Sequence, residues 1–189
     1  MSLIQRMPTK FRHMLSKSLH GRQLGKVSVH AFGLAVSSAL GYCLMTTLLN
    51  QARFLSRDNN LLGGMWAAIS AVFVFHDDYD QSVNAALIRL AATIVSCGLC
   101  LSYLLVFPFH IWGLGVLIGI GSILLTLAHH PDAVVTTGIT IAVIMVVSEI
   151  SPHNAWQQPI LRLMDTFVGA TSAVAVAKLV QYLQKHKSH

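Results

Sequence analysis

Apolar residues gather into six stretches, roughly 27–49, 61–76, 82–107, 112–129, 132–150 and 155–181, separated by short polar turns. About twenty apolar residues in helical form cross about 30 Å of hydrocarbon. The pattern therefore predicts an all-α integral membrane fold of six transmembrane helices. The turns carry the expected punctuation. His76-Asp77-Asp78-Tyr79-Asp80-Gln81 is acidic, Phe107-Pro108-Phe109-His110 is aromatic, and His129-His130-Pro131-Asp132 places a proline to start a helix. The second stretch is short and starts at Gly63-Gly64, and Pro159 lies at or just inside the start of the sixth.

Residues 1–26 are basic and weakly amphipathic, with Phe11, Leu15 and Leu19 at helical spacing. Two readings stand for them: a short helix lying on an anionic leaflet, or a basic tail without fixed structure. They do not resemble a cleavable signal, because the apolar stretch that follows is too long and no small-residue cleavage site closes it. The expected organisation is a basic segment at 1–26, a membrane domain at 27–181 and a basic tail at 182–189.

Composition agrees with a membrane setting. Of 189 residues, 54% are hydrophobic and 11% charged, and the mean hydropathy is +0.62. The charged share is about half that of a soluble domain. The net charge of +6 comes from where the cations sit. Arg6, Lys10, Arg12, Lys17, Arg22 and Lys26 precede the first stretch, Lys178, Lys185 and Lys187 end the chain, and Arg53 and Arg57 fall in the first connection. An even number of spans with basic tails puts both termini in the cytoplasm. No basic groove interleaved with aromatics speaks for nucleic acid. Cys43, Cys97 and Cys100 all fall inside apolar stretches, where packing is the simplest use for them.

A repeat emerges at an offset of 73 residues. Arg89-Leu-Ala-Ala-Thr93 aligns with Arg162-Leu-Met-Asp165-Thr166, and the second stretch falls on the fifth without a gap. A repeat unit of three spans must run in opposite directions in its two copies, which predicts an inverted 3+3 arrangement of the kind that places transporter sites near mid-depth. Arg89 and Arg162 then approach the midplane from opposite faces. A cation within a membrane span is by default a functional candidate, and two guanidiniums suit an anion through bidentate, charge-assisted hydrogen bonds. Snorkelling to the headgroups is the structural alternative. Asp165 lies one turn from Arg162 and is able to pair with it. Thr93 and Thr166 share a face with the arginines and either donate to the anion or back-bond to their own helix.

Other signals are weaker. Gly115-x-x-x-Gly119 fits close helix packing, as do the alanines of the sixth stretch. His76, Asp77, Asp78, Asp80, His129, His130 and Asp132 have metal-ligating chemistry without a defining spacing, so no metal or other cofactor is expected. Asp165 and Glu149 are the candidates for proton coupling. The motifs of zinc hydrolases, serine hydrolases and phosphate-binding loops are missing from the sequence, so no enzyme is expected.

Gly63-Gly-Met-Trp66-Ala-Ala-Ile-Ser-Ala-Val-Phe-Val-Phe75, followed by Ala86-Leu-Ile-Arg89-Leu-Ala-Ala-Thr93 and by Arg162-Leu-Met-Asp165-Thr166-Phe-Val-Gly169-Ala170, resembles the fusaric acid resistance and aromatic acid exporter superfamily, which also takes in the plant aluminium-activated malate transporters. The resemblance covers about 27–181. It implies a six-helix module in a bacterial inner membrane that exports organic anions such as aromatic carboxylic acids, with Arg89 and Arg162 along the anion path and Trp66 at its mouth or packing seam. It also implies two alternatives: a dimeric anion channel, or a non-transporting scaffold or accessory subunit. Ala92 and Ser96 stand where the family often has glycines, and the Asp77-Asp78 pair is unusual for it. Larger relatives carry two modules or a long soluble domain. A single module implies a homodimer, and a periplasmic adaptor is a further candidate partner that no motif here specifies.

Overall fold

The computed structural model describes the backbone of residues 9–51, 57–150 and 155–186, and the side chains of 27–51, 60–150 and 155–186. The side chains of Phe11, Leu15, Leu19 and Arg57, the whole of Arg53, and the 151–154 loop lie outside what is described. Among the described residues six α-helices follow one another: α1 (Thr9–Gln51), α2 (Arg57–Val74), α3 (Tyr79–Leu104), α4 (Ile111–Leu127), α5 (Val134–Ile150) and α6 (Gln157–His186). A 3-10 turn, Pro131–Ala133, leads into α5. The described residues contain no strand.

Several boundaries move from where the apolar pattern puts them, each for a local reason. α3 begins three residues early, because Asp78 caps it: its carboxylate accepts from the Asp80 N–H at 3.4 Å. It ends at Leu104 rather than near 107, since Phe107 precedes Pro108 and the residue before a proline disfavours helical backbone. α2 starts upstream of Gly63-Gly64, so the glycines lie within the helix instead of opening it. α1 runs unbroken through residue 26. Between α4 and α5, His129 takes a left-handed φ of 61° and the His130 N–H reaches back to Leu125 O at 3.0 Å, which closes the helix end.

Four segments are long and apolar enough to cross a bilayer: Val27–Gln51, Tyr79–Leu104, Pro131–Ile150 and Gln157–His186. The chain is in this sense a multi-pass membrane protein. The apolar parts of α2 (Asn60–Val74) and α4 (Ile111–Leu127) are shorter, about 22 and 26 Å at 1.5 Å per residue. Six full-length spans are thus not what the helix lengths alone deliver.

α3 and α6 form the centre. α6 also packs on α1 and α2, while α3 packs on α5 and α4; α1 pairs with α2, and α4 with α5. The two central helices run antiparallel. Cys97 Sγ, on α3, donates to Pro159 O near the start of α6 at 3.0 Å. Thr93 and Thr166 hydroxyls lie 3.4 Å apart. Ala86, near the start of α3, packs into a cluster with Ala170, Ala173 and Ala177, later in α6. The second main cluster joins α3, α4 and α5 through Cys100, Leu117, Ile141, Ile144 and Met145.

Small residues set these approaches. At Gly169 a Cβ would collide with Ala67 O and stand 2.8 Å from Ser70 Cβ, so α2 and α6 are nearly in backbone contact. The expected tight contact at Gly115-x-x-x-Gly119 is not there: a Cβ at either position meets nothing within 4 Å. The inward face of α4 is instead the one with Gly113 and Gly121, which fit against Tyr103 and against Ile141 and Thr137. Helical periodicity decides this, because Leu117 and Leu125 must point to the same side as Gly113 and Gly121.

Candidate functional site

Arg89 lies ten residues into α3, about 15 Å along its axis, deeper than a start at residue 82 implies. It is 6% exposed, and Arg162 is 4% exposed. Neither guanidinium snorkels to a surface; both turn into the bundle. Snorkelling needs an unobstructed route along the helix to the headgroups, and the α3–α6 crossing with α2 and α5 packed over it closes that route.

Both arginines line one narrow internal void with Trp66 and Ser70 from α2, Thr140 and Val143 from α5, and Thr166 from α6. The void measures about 10 Å³, room for about one water molecule. Arg89 stacks on Phe73 with its guanidinium carbon 4.8 Å from the ring centroid, and Arg162 stacks on Trp66 at 4.9 Å. Cation–π contacts of this kind hold the planar groups in place without using their N–H donors.

Those donors have little else. The Nε and Nη1 of both arginines are buried without a hydrogen-bond partner, as is Trp66 Nε1. Arg162 Nη1 has an ion pair with Asp165 Oδ2 at 3.2 Å, one turn along α6. Arg89 has no carboxylate within ion-pair distance among the described residues. A buried cation without a counter-charge is costly, so the cluster is a site short of negative charge.

The threonines divide. Thr93 Oγ1 donates to Arg89 O at 2.8 Å, the back-bonding alternative. Thr166 Oγ1 faces Thr93 and the void. Asp165 is fully buried but not on the void wall; it lies behind Arg162, against Gly63, where a Cβ would stand 3.1 Å from Oδ1. Glu149 is exposed near the end of α5, away from the cluster. Ser70, Phe73 and Thr140 were not legible as site residues in the sequence. The signal that finds them is the helical register, since Trp66, Ser70 and Phe73 share one face of α2.

A larger cavity of about 220 Å³ reaches Arg89 past Phe73, Ala85, Ile88, Ala92, Asp132, Ala133 and Thr136. It lies toward the end of the bundle that holds the α2–α3 and α4–α5 turns. Polar residues of those turns serve local structure. Ser82 Oγ donates to His76 O at 3.0 Å and accepts from the His76 N–H at 2.9 Å. Asp77 pairs with His30 of α1 at 3.0 Å. Among the described residues no group of three His, Cys, Asp or Glu could hold a metal ion, and the three described cysteines are free.

No curated protein and no solved structure gives a significant match to the chain. Residues 52–176, well over half of the 189, match the family described as fusaric acid resistance protein-like. The matched range contains the Trp66 face of α2, the whole of α3 with Arg89, and α6 through Arg162 and Asp165, and on that match the chain belongs to the fusaric acid resistance protein-like family.

Proposed function

We propose that this protein exports organic anions, such as aromatic carboxylic acids, across a bacterial inner membrane, and that the anion binds between Arg89 and Arg162. Its family is of the membrane-transporter type. The observation that carries the reading is the pair of buried arginines lining one internal void, Arg89 with no ionic partner among the described residues and Arg162 paired only with Asp165. A carboxylate there accepts from both guanidiniums, and from Thr166 and Trp66 Nε1. Thr93 orders the Arg89 turn.

The same proposal includes an inverted 3+3 repeat and six crossings, with both basic tails cytoplasmic. The contact pattern supports it. Exchanging α1 with α4, α2 with α5 and α3 with α6 turns every interhelical pairing named above into another one present. Residue contacts obey the same rule: adding or subtracting 73 turns Cys97–Pro159 into Ala170–Ala86, and Thr93–Thr166 into itself. A two-fold axis near the threonine pair would produce that result. The short α2 and α4 cross with the help of their neighbours and a locally thinned bilayer.

The two halves also differ in a way that suits alternating access. Around Arg89, Ala85 and Ile88 border an open cavity. Their counterparts beside Arg162, Gln158 and Leu161, are buried. The arrangement corresponds to a site open toward the cytoplasm and closed on the other side. A void of water size between the arginines means that α2 and α5 must part to admit an aromatic acid. A second copy of the chain is the proposed partner, forming a homodimer.

The test is efflux from proteoliposomes loaded with benzoate. Wild-type protein should release it, and Arg89→Ala and Arg162→Ala should each reduce the rate at least about tenfold. Unchanged rates in correctly folded variants would refute the assignment. Steady currents in planar bilayers without a coupling gradient would mark a channel built on the same residues. A protein that moves no anion under any gradient would be the scaffold of the third alternative.

A further inference from the structure

The repeat is broken at one charged position. The 73-residue counterpart of Asp165 is Ala92. Arg162 therefore carries a built-in anion, 3.2 Å away with both side chains buried, and Arg89 carries none among the described residues. The void wall includes both arginines but not Asp165. The neighbours of Asp165 add no second charge. Arg162 on α6 is its ionic partner, and Cys97 on α3 uses its thiol proton on Pro159 O. Gly63 on α2 packs against it, with Met45 and Leu49 of α1 behind that glycine. The buried residues of α5 are threonine, serine and apolar side chains.

Asp132 borders the cavity that reaches Arg89 but is exposed, so the buried cluster itself holds two cations and one anion, a net charge of +1 in a low-dielectric space where an unmatched charge is strongly disfavoured. We propose that Asp165 sets the valence of the transported anion: the site accepts a monoanion, which brings the cluster to neutrality, and rejects a dianion, which leaves it one negative charge in excess. Asp165 does so without touching the ligand, by cancelling half of the cationic charge from behind Arg162. It is a positioning and selectivity residue, and the inference rests on the anion site between Arg89 and Arg162 proposed above.

The pair benzoate and phthalate tests this, because the two share a ring and differ by one carboxylate. Proteoliposomes carrying the full chain are loaded with either anion at neutral pH, and the ratio of efflux rates is measured. The wild type should favour benzoate by at least about tenfold, a difference one uncompensated charge readily supplies. Asp165→Asn should raise the phthalate rate and shrink or invert the ratio. A purely structural role for Asp165 would lower both rates together and leave the ratio unchanged. Ala92→Asp gives an independent arm: a second internal carboxylate neutralises the site and should suppress efflux of both anions, while Ala92→Asn should not. A wild-type preference for phthalate, or an unchanged ratio in Asp165→Asn, overturns the selectivity role even where Arg89→Ala still abolishes transport. Efflux of both anions that ignores Arg89→Ala overturns the site itself, and this inference with it.

Discussion

Replacing Arg89 with methionine should make the protein more stable while it stops transport. Arg89 is 6% exposed, lacks an ionic partner among the described residues, and leaves Nε and Nη1 without hydrogen bonds. Relieving an uncompensated buried charge returns several kcal/mol, since a hydrophobic residue of similar length replaces buried ionic groups at a gain of about 1–4 kcal/mol. The lost contact with Phe73 subtracts about 0.5–2 kcal/mol. The net gain is about 1–2 kcal/mol, a rise in Tm of about 2–8 °C for a chain of this size. Arg162→Met should do the opposite. It strands the fully buried carboxylate of Asp165, and breaking a buried pair in this way costs about 3–5 kcal/mol. Adding Asp165→Leu to Arg162→Met should recover most of that loss. The assay is thermal unfolding of the purified protein in detergent, followed by intrinsic fluorescence, with benzoate efflux measured on the same preparations. The decisive quantity is the sign. If Arg89→Met lowers Tm as far as Arg162→Met does, Arg89 has a stabilising counter-charge and is not the open half of an anion site.

Three further outcomes follow from the packing. Gly169→Val should push α2 from α6 by the better part of an ångström, because a Cβ there already stands 2.8 Å from Ser70 Cβ; overpacking of this kind costs about 1–3 kcal/mol, and a normal Tm with normal efflux would contradict the close approach. Gly119→Ala should be neutral or stabilising by up to about 1 kcal/mol, since nothing lies within 4 Å of its Cβ; a clear loss, read by thermal unfolding and by crosslinking, would mean that this face of α4 packs on a second copy. Ser82→Ala removes the fully buried hydroxyl that pairs with both backbone groups of His76; it should cost about 1–3 kcal/mol and speed hydrogen exchange in the α2–α3 turn, and unchanged protection there would count against the bond.

The apolar runs alone determined that this chain is helical and made for a bilayer, because about twenty apolar residues have few other stable destinations. The 73-residue echo also singled out Arg89 and Arg162 as a pair. Sequence could not decide where those guanidiniums go: a cation near a helix end reaches either headgroups or interior, and the difference lies in what covers it. Tertiary packing chose the interior by crossing α3 and α6 at Thr93 and Thr166 and laying α2 across both arginines. Packing also added Ser70 and Phe73 of α2 to Trp66, residue types that in an apolar run carry no functional signal. It reversed the reading of α4, where Gly113 and Gly121 face the bundle and Gly115-x-x-x-Gly119 faces out. A motif fixes the spacing of small residues on a helix, but not the rotation of that helix about its axis, which is set by what the remaining helices leave to be buried.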